Sequence, residues 1–284
     1  MEKNRPSLAV TYCGEAELRW GQRTYITGII NMSPDSFSGD GLGSDIEAAK
    51  AQARRFIAEG ADIIDIGGES TRPGSEPISL DEELKRVIPA IERLAGDLAV
   101  PISIDTSKSA VASRALDAGA RMINDVWGLK QDPRLAQVAA EAGVPIVLTS
   151  NQRREPCQYD IMAEVISSLE RSIALAKAAG VAEQDIIIDL GIGFGKSLEQ
   201  NLEIIHRLAE LKILGKPILL GTSRKSMIGL VLDLPPDQRL EGTAATIAIG
   251  IANGADIIRV HDVKQMVRVC RMSDAILRRR PSEC

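Results

Sequence analysis

Ionisable and amide side chains in this sequence gather at one kind of place, the end of a short apolar run. Asn31 closes Tyr25-Ile-Thr-Gly-Ile-Ile, Asp65 stands within Ile63-Ile-Asp-Ile with Glu69 just beyond, and Asp105 closes Ile102-Ser-Ile. Asn124 with Asp125, Asp189, Ser223 with Arg224 and Lys225, and Arg259 with His261 follow later runs in the same way. One polar residue where a strand meets solvent is ordinary, but seven such ends brought together would make a site. Carboxylates, an amide and a lysine can face the N–H and C=O edges of a polar ligand. Arg259 and His261 are one residue apart, so on an alternating strand they point to the same side and concentrate positive charge and donors. No Ser, Cys or Lys nucleophile with a partnering base is evident, which argues against covalent catalysis.

What must position these residues is a repeated unit. Six times an Ala-rich helical run ends in glycine and a short β-branched run begins within a few residues: at Gly60, Gly119, Gly143, Gly180, Gly215 and Gly254. Glycine suits the left-handed position past a helix end, and short unalternating apolar runs suit parallel strands buried on both faces. With the runs at 25–31 and 101–105 there are eight strand candidates, each followed by a helix-length segment. The helical segments are expected near 44–59, 80–97, 108–118, 132–141, 160–179, 198–212, 239–253 and 263–279. Eight such units predict an α/β fold, a (β/α)8 TIM barrel over residues 25–280, whose catalytic groups belong at the carboxyl ends of its strands. Residues 1–24 alternate in polarity around Gly14 and Gly21, as a hairpin closing the barrel bottom would. An open doubly wound sheet is the alternative, and it lacks a Gly-rich dinucleotide turn after the first strand.

Composition narrows the function classes. A net charge of −5 leaves no global positive field for nucleic acid or anionic membrane, so any anion must be captured locally. No stretch approaches ~20 uninterrupted apolar residues, so no membrane span is expected. Cys13, Cys157, Cys270 and Cys284 show no paired spacing, and no apolar leader follows basic residues, which suggests a reduced, cytoplasmic protein. His206 and His261 are too few for a classical zinc site, while oxygen-ligated Mg2+ remains open. The glycine-rich 191–196 segment matches neither phosphate-loop fingerprint and is read as a close-approach loop.

Seven stretches carry a resemblance over nearly the whole chain. Asn31-Met-Ser-Pro-Asp-Ser-Phe-Ser38, Gly67-Gly-Glu-Ser-Thr-Arg-Pro-Gly74, Ser103-Ile-Asp-Thr-Ser107, Ile123-Asn-Asp125, Gly191-Ile-Gly-Phe-Gly-Lys196, Ser223-Arg-Lys-Ser226 and Arg259-Val-His261 stand in the order and spacing of the dihydropteroate synthase family's motifs. That resemblance implies condensation of 6-hydroxymethyl-7,8-dihydropterin pyrophosphate with 4-aminobenzoate, giving 7,8-dihydropteroate and pyrophosphate. It implies pterin contacts from Asp105, Asn124, Asp189, Phe194 and Lys225, and pyrophosphate contacts from Asn31, Arg72, Arg259 and His261. Asn31 would ligate Mg2+, and Phe37, Thr71, Arg72, Pro73 and Ser223 would meet the aminobenzoate beneath two closing loops. Asp105, Lys225, Arg259 and His261 would carry catalysis, and a homodimer through the last helices is implied.

The sequence also departs from the family. Where a Met-His pair is usual in the pterin wall, this chain reads Leu148-Thr149-Ser150-Asn151, and Leu190 replaces a customary proline. The first change would loosen pterin packing, admit a modified substrate or mark a paralogue that has drifted from folate synthesis, and the resemblance separately leaves open a variant with an altered response to sulfonamides. Two other readings stay open: a pterin-binding methyltransferase, against which Arg72, Arg259 and His261 argue, and a non-catalytic pterin or anion binder, against which the two loop motifs argue. A structural ion-pair cluster, with Lys225 merely neutralising the carboxylates, is the bland account of the same residues.

Overall fold

The computed structural model describes residues 10–33, 41–42, 45–70, 75–154 and 160–278. A short antiparallel hairpin, β1 (Thr11–Cys13) and β2 (Ala16–Leu18), precedes eight parallel strands. These are β3 (Tyr25–Asn31), β4 (Ile63–Gly67), β5 (Ile102–Asp105), β6 (Met122–Asp125), β7 (Ile146–Thr149), β8 (Ile186–Asp189), β9 (Ile218–Leu220) and β10 (Ile257–Val260). They pair in chain order, and β10 pairs with both β9 and β3, so the sheet closes into the expected barrel. All six junction glycines lie at positive φ, from +60° at Gly215 to +117° at Gly254.

Nine helices are described: α1 (Ile46–Glu59), α2 (Leu80–Ala95), α3 (Ser109–Asp117), α4 (Arg134–Ala142), α5 (Ile161–Ala178), α6 (Leu198–His206), α7 (Ser226–Leu232), α8 (Leu240–Asn253) and α9 (Val263–Leu277). Their starts follow local chemistry. Asp45, Ser79 and Asp160 accept first-turn N–H groups, and Ser197 forms a reciprocal capping box with Gln200. Two differences from expectation appear. The single helix expected over 198–212 ends at His206, and a 3-10 segment, Leu208–Leu214, tightens the chain into the left-handed turn at Gly215. The seven-residue α7 was not anticipated, because two turns show too little periodicity to read from sequence.

Alternation along each strand divides its side chains between two environments. Ile64, Ile123, Leu148, Ile188, Leu220 and Ile258 face the helices and join the outer core. Ile63, Met122, Val147, Ile187, Leu219 and Ile257 face inward and form a second apolar cluster with Tyr25, Cys13, Leu18 and Trp20. The hairpin therefore closes the amino end of the barrel. Trp20 Nε1 donates to Thr11 Oγ1 at 3.0 Å, the Trp20 and Tyr25 rings meet edge to face at 5.5 Å, and Cys13 Sγ reaches the Arg121 carbonyl at 3.2 Å.

Candidate functional site at the barrel mouth

Two residues beyond that inner apolar layer, the same strands turn polar. Ile63 gives way to Asp65, Met122 to Asn124, Val147 to Thr149, Ile187 to Asp189 and Ile257 to Arg259, while Asp105 stands two beyond the inward Ser103. Register sets their neighbours: Asp105 lies beside Gly67 and Asn124, Asn31 beside Gly67, and Thr149 beside Asp189. The strand-end residues predicted at 105, 124, 189 and 259 thus line one opening.

Arg259 joins one side of it. Its Nε donates to Asp65 Oδ2 at 2.6 Å and its Nη2 to Asp105 Oδ2 at 2.7 Å, while Asn124 Nδ2 donates to Asp65 Oδ2 at 3.1 Å. Burial opposes the charge on Arg259, but Asp65 and Asp105 outweigh it and hold the guanidinium firmly protonated. Burial pushes the Asp105 carboxyl upward, and Arg259 pulls against that. The neutralising ion pair that the bland reading gave to Lys225 is made by Arg259. Asp65, named from the sequence among the strand-end groups but given no specific role, is the hub: one of its oxygens takes Arg259 and Asn124 together. Its position in an apolar run, in phase with inward Ile63, was the available signal.

Asp189 and Lys225 form the other side. Burial raises the Asp189 carboxyl against the pull of Lys225, and burial lowers the Lys225 ammonium to about 8 despite Asp189. Lys225 Nζ donates to the Ile192 carbonyl and stands 4.7 Å above the Phe194 ring, which also meets the Arg153 guanidinium at 4.8 Å. The glycine-rich segment is a close-approach loop: at Gly191 (φ +68°) a Cβ would lie 1.8 Å from the Ser150 carbonyl oxygen, so no other residue fits. Gly191 N donates to Asp189 Oδ1 at 2.6 Å, which fixes the carboxylate beside the loop.

At the junction of β9 and β10, Ser223 Oγ lies 2.9 Å from His261 Nδ1 and accepts the His261 backbone N–H at 3.2 Å. Sequence reading found no serine with a partnering base; the structure supplies this pair because two strands distant in sequence are adjacent in the barrel. Arg224, with φ +56°, pairs with Asp262 at 2.9 and 2.5 Å and ties the two loops together. Asp125 turns away from the opening: Trp127 and Leu129 N–H groups donate to it at 2.9 and 2.6 Å, and burial pushes its carboxyl up to about 6. Glu69 pairs with Lys108, which also holds buried Glu83. Asn31 closes β3, half-buried at the rim. Phe37, Thr71, Arg72 and Pro73 lie outside the described residues. Among the described residues no three His, Cys, Asp or Glu side chains group as a metal site.

The arrangement suits a planar heterocycle with a hydrogen-bonding edge, held between two buried carboxylates and an amide, with cationic and donor groups at the rim. A family model described as pterin binding enzyme matches residues 27–261. The chain is 51% identical over 268 residues to the dihydropteroate synthase of Bacillus subtilis, covering 94% of each. It superposes with TM-score 0.87 and 50% identity on a crystal structure of dihydropteroate synthase from Clostridium difficile in the presence of pteroic acid, covering 92% of this chain and 99% of that one. A Xanthomonas albilineans dihydropteroate synthase with 4-aminobenzoic acid gives TM-score 0.88 and 41% identity, covering 94% and 97%.

Proposed function

Because this chain belongs to the dihydropteroate synthase family of pterin-binding enzymes, we propose a division of labour among the residues of its barrel mouth. The activity is that of a transferase: 6-hydroxymethyl-7,8-dihydropterin pyrophosphate and 4-aminobenzoate condense to 7,8-dihydropteroate and pyrophosphate. The observation that carries the division is the convergence of Asp105, Asn124, Asp189 and Lys225 on one opening, with Arg259 bonded into it.

Asp105 and Asp189 accept from the amide and amino hydrogens of the pterin, Asn124 and Lys225 meet its carbonyl and ring nitrogens, and Phe194 lies against the ring. A guanidinium carries five N–H donors, and the two aspartates use two of those on Arg259, leaving donors for the leaving pyrophosphate. His261 and Arg72 add charge and donors there. Asn31 offers a hard oxygen donor, and with no three-residue cluster among the described residues, Mg2+ would be held by Asn31 together with oxygens of the substrate. Bound there, Mg2+ would neutralise charge on pyrophosphate.

The C–O bond to pyrophosphate breaks first, and the carboxylates at the ring accommodate the positive charge that develops on the pterin. The neutral aromatic amine of aminobenzoate, placed by Phe37, Thr71, Arg72, Pro73 and Ser223, then forms the C–N bond and loses a proton. Ser223 bridges His261 side chain and backbone at this point, a positioning contact rather than a nucleophile's pairing. Sulfonamides, as aminobenzoate mimics, would compete at the same place, with a response altered by the departures at 148–151.

Exposed Leu230, Val231, Ile249, Met272, Ile276 and Leu277 on α7, α8 and α9 support a homodimer through these helices, which light scattering on the purified protein will test. No helix among the described residues is long and apolar enough to cross a membrane, and the two described cysteines, Cys13 and Cys270, are free, in keeping with a cytoplasmic enzyme. The deciding experiment is pyrophosphate release with Mg2+ and the pterin pyrophosphate, with and without 4-aminobenzoate. Aminobenzoate-dependent release with dihydropteroate as product is expected; pterin binding without release would return the chain to the methyltransferase or binding-protein readings.

A further inference from the structure

A hydroxyl without a partner stands in the wall of the proposed pterin pocket. Thr149 closes β7 and is 1% exposed, yet its Oγ1 has no hydrogen-bond partner among the described residues. Alternation sets its direction: Val147 belongs to the interior cluster and Leu148 to the outer one, so Thr149 faces inward. It is the register partner of Asp189 on one side, and on the other Asn124 aligns with Val147, one inward position below.

The backbone around the group is closely packed. A Cβ on Gly128 would come 2.4 Å from the Thr149 carbonyl oxygen, Gly191 packs still more closely on the Ser150 carbonyl oxygen, and Lys196 Nζ donates to that carbonyl at 2.6 Å. A buried hydroxyl left unpaired destabilises the ligand-free protein, and valine would fill the same space without that cost. A ligand atom that completes the hydrogen bond accounts for the hydroxyl.

We propose that Thr149 is a specificity-determining residue for the heterocycle: its hydroxyl hydrogen-bonds a ring nitrogen of the bound pterin, between the groups held by Asn124 and Asp189. The inference rests on the pterin-binding reading above. A hydroxyl both donates and accepts, so it can serve a protonated or an unprotonated ring nitrogen. A site built around such a bond discriminates against a ring that presents C–H instead.

Calorimetry on the full chain, comparing wild type with T149V and T149S, tests this with 6-hydroxymethyl-7,8-dihydropterin pyrophosphate and a set of analogues in which single ring nitrogens are replaced by C–H. T149V is expected to bind the parent about tenfold more weakly and T149S within about twofold of wild type, the size of one hydrogen bond. One analogue should be bound equally by wild type and T149V, because the bond is already lost. The KM for 4-aminobenzoate should not move, and ligand-free T149V should melt at a higher temperature, which also shows that it folds. Equal binding of the parent by wild type and T149V would overturn the proposal, as would the same loss against every analogue, which would mark a packing effect. If wild type binds none of these ligands, the pterin reading itself fails, a result distinct from either.

Discussion

The two ends of the barrel interior are built from the same strands and do opposite things. At the amino end Ile63, Met122, Ile187 and Ile257 pack on Trp20 and Leu18, and the hairpin shuts out water. One inward step higher, Asp65, Asn124, Asp189 and Arg259 replace them beside Asp105, and burial works against the charges of Asp105, Asp189 and Arg259. The lower layer gains free energy by leaving water; the upper layer holds charges that would be more comfortable in it. An enzyme of this shape keeps an apolar floor beneath a mouth of buried charges. Variants at the floor should therefore alter stability and spare chemistry, and variants at the mouth should do the reverse.

The largest stability effect belongs to the floor. Trp20→Ala should cost ~3–5 kcal/mol by removing a buried aromatic ring and its edge-to-face contact. Urea denaturation will read that loss, and the kcat of the folded fraction should stay within about twofold, since Trp20 packs in the floor cluster on Thr11 and Tyr25; a large drop in kcat would break the comparison. At the mouth, Asp105→Asn should lower turnover about a hundredfold, the size expected for one preorganised electrostatic contact. Its Tm should hold or rise, because burial already disfavours the Asp105 carboxylate. If this variant instead loses stability while turning over normally, the bland ion-pair reading is right.

Titration sharpens the contrast. Burial raises the Asp125 carboxyl from 3.8 to about 6 and raises Asp105 and Asp189 too, so in this range the folded state binds more protons than the unfolded one. These three groups should then lower the stability of the ligand-free protein as pH rises through the window from about 4 to 7, by up to ~3 kcal/mol for the two-unit shift at Asp125, while carboxylates held low by their partners, Asp132 and Asp160 among them, act in the opposite sense. Chemical denaturation of wild type, Asp105→Asn and Asp125→Asn at intervals across that window separates the mouth's contribution from that of Asp125; an Asp105→Asn slope identical to wild type would contradict the mouth's electrostatics. Catalysis should weaken in turn as pH climbs past about 8, where Lys225 loses its proton. Lys225→Arg should move that limb of the kcat/KM profile upward.

The smallest effect is a non-reaction. Cys13 in the floor and Cys270 on α9 are buried thiols pushed up to about 12, so iodoacetamide at pH 8 should leave both unmodified until the protein unfolds. Peptide mapping of the alkylated protein distinguishes them from the other cysteines.

Much of this was visible beforehand, and for a local reason. Glycines past helix ends and short β-branched runs recur at close range, so eight strands and most helices could be counted from neighbouring residues alone. The polar residue after each run was equally plain. Asp65 itself was visible as a strand-end group, but its place as hub was not: it sits between Ile64 and Ile66, and nothing within its own segment says that it serves Arg259. Ser223 and His261 are likewise 38 residues apart, each ordinary by itself, and only strand adjacency makes them a pair.

The sequence by itself determined the repeat, the direction of each strand-end side chain and the chemical class of the groups that meet at the mouth, because alternation and capping act over a few residues. The tertiary structure alone decided who pairs with whom. Arg259 reaches Asp65 and Asp105 across 194 and 154 residues because β10 closes onto β3 and brings the last strand beside the first ones. It also decided that the Thr149 hydroxyl remains unanswered, since that depends on every neighbour around a closed ring.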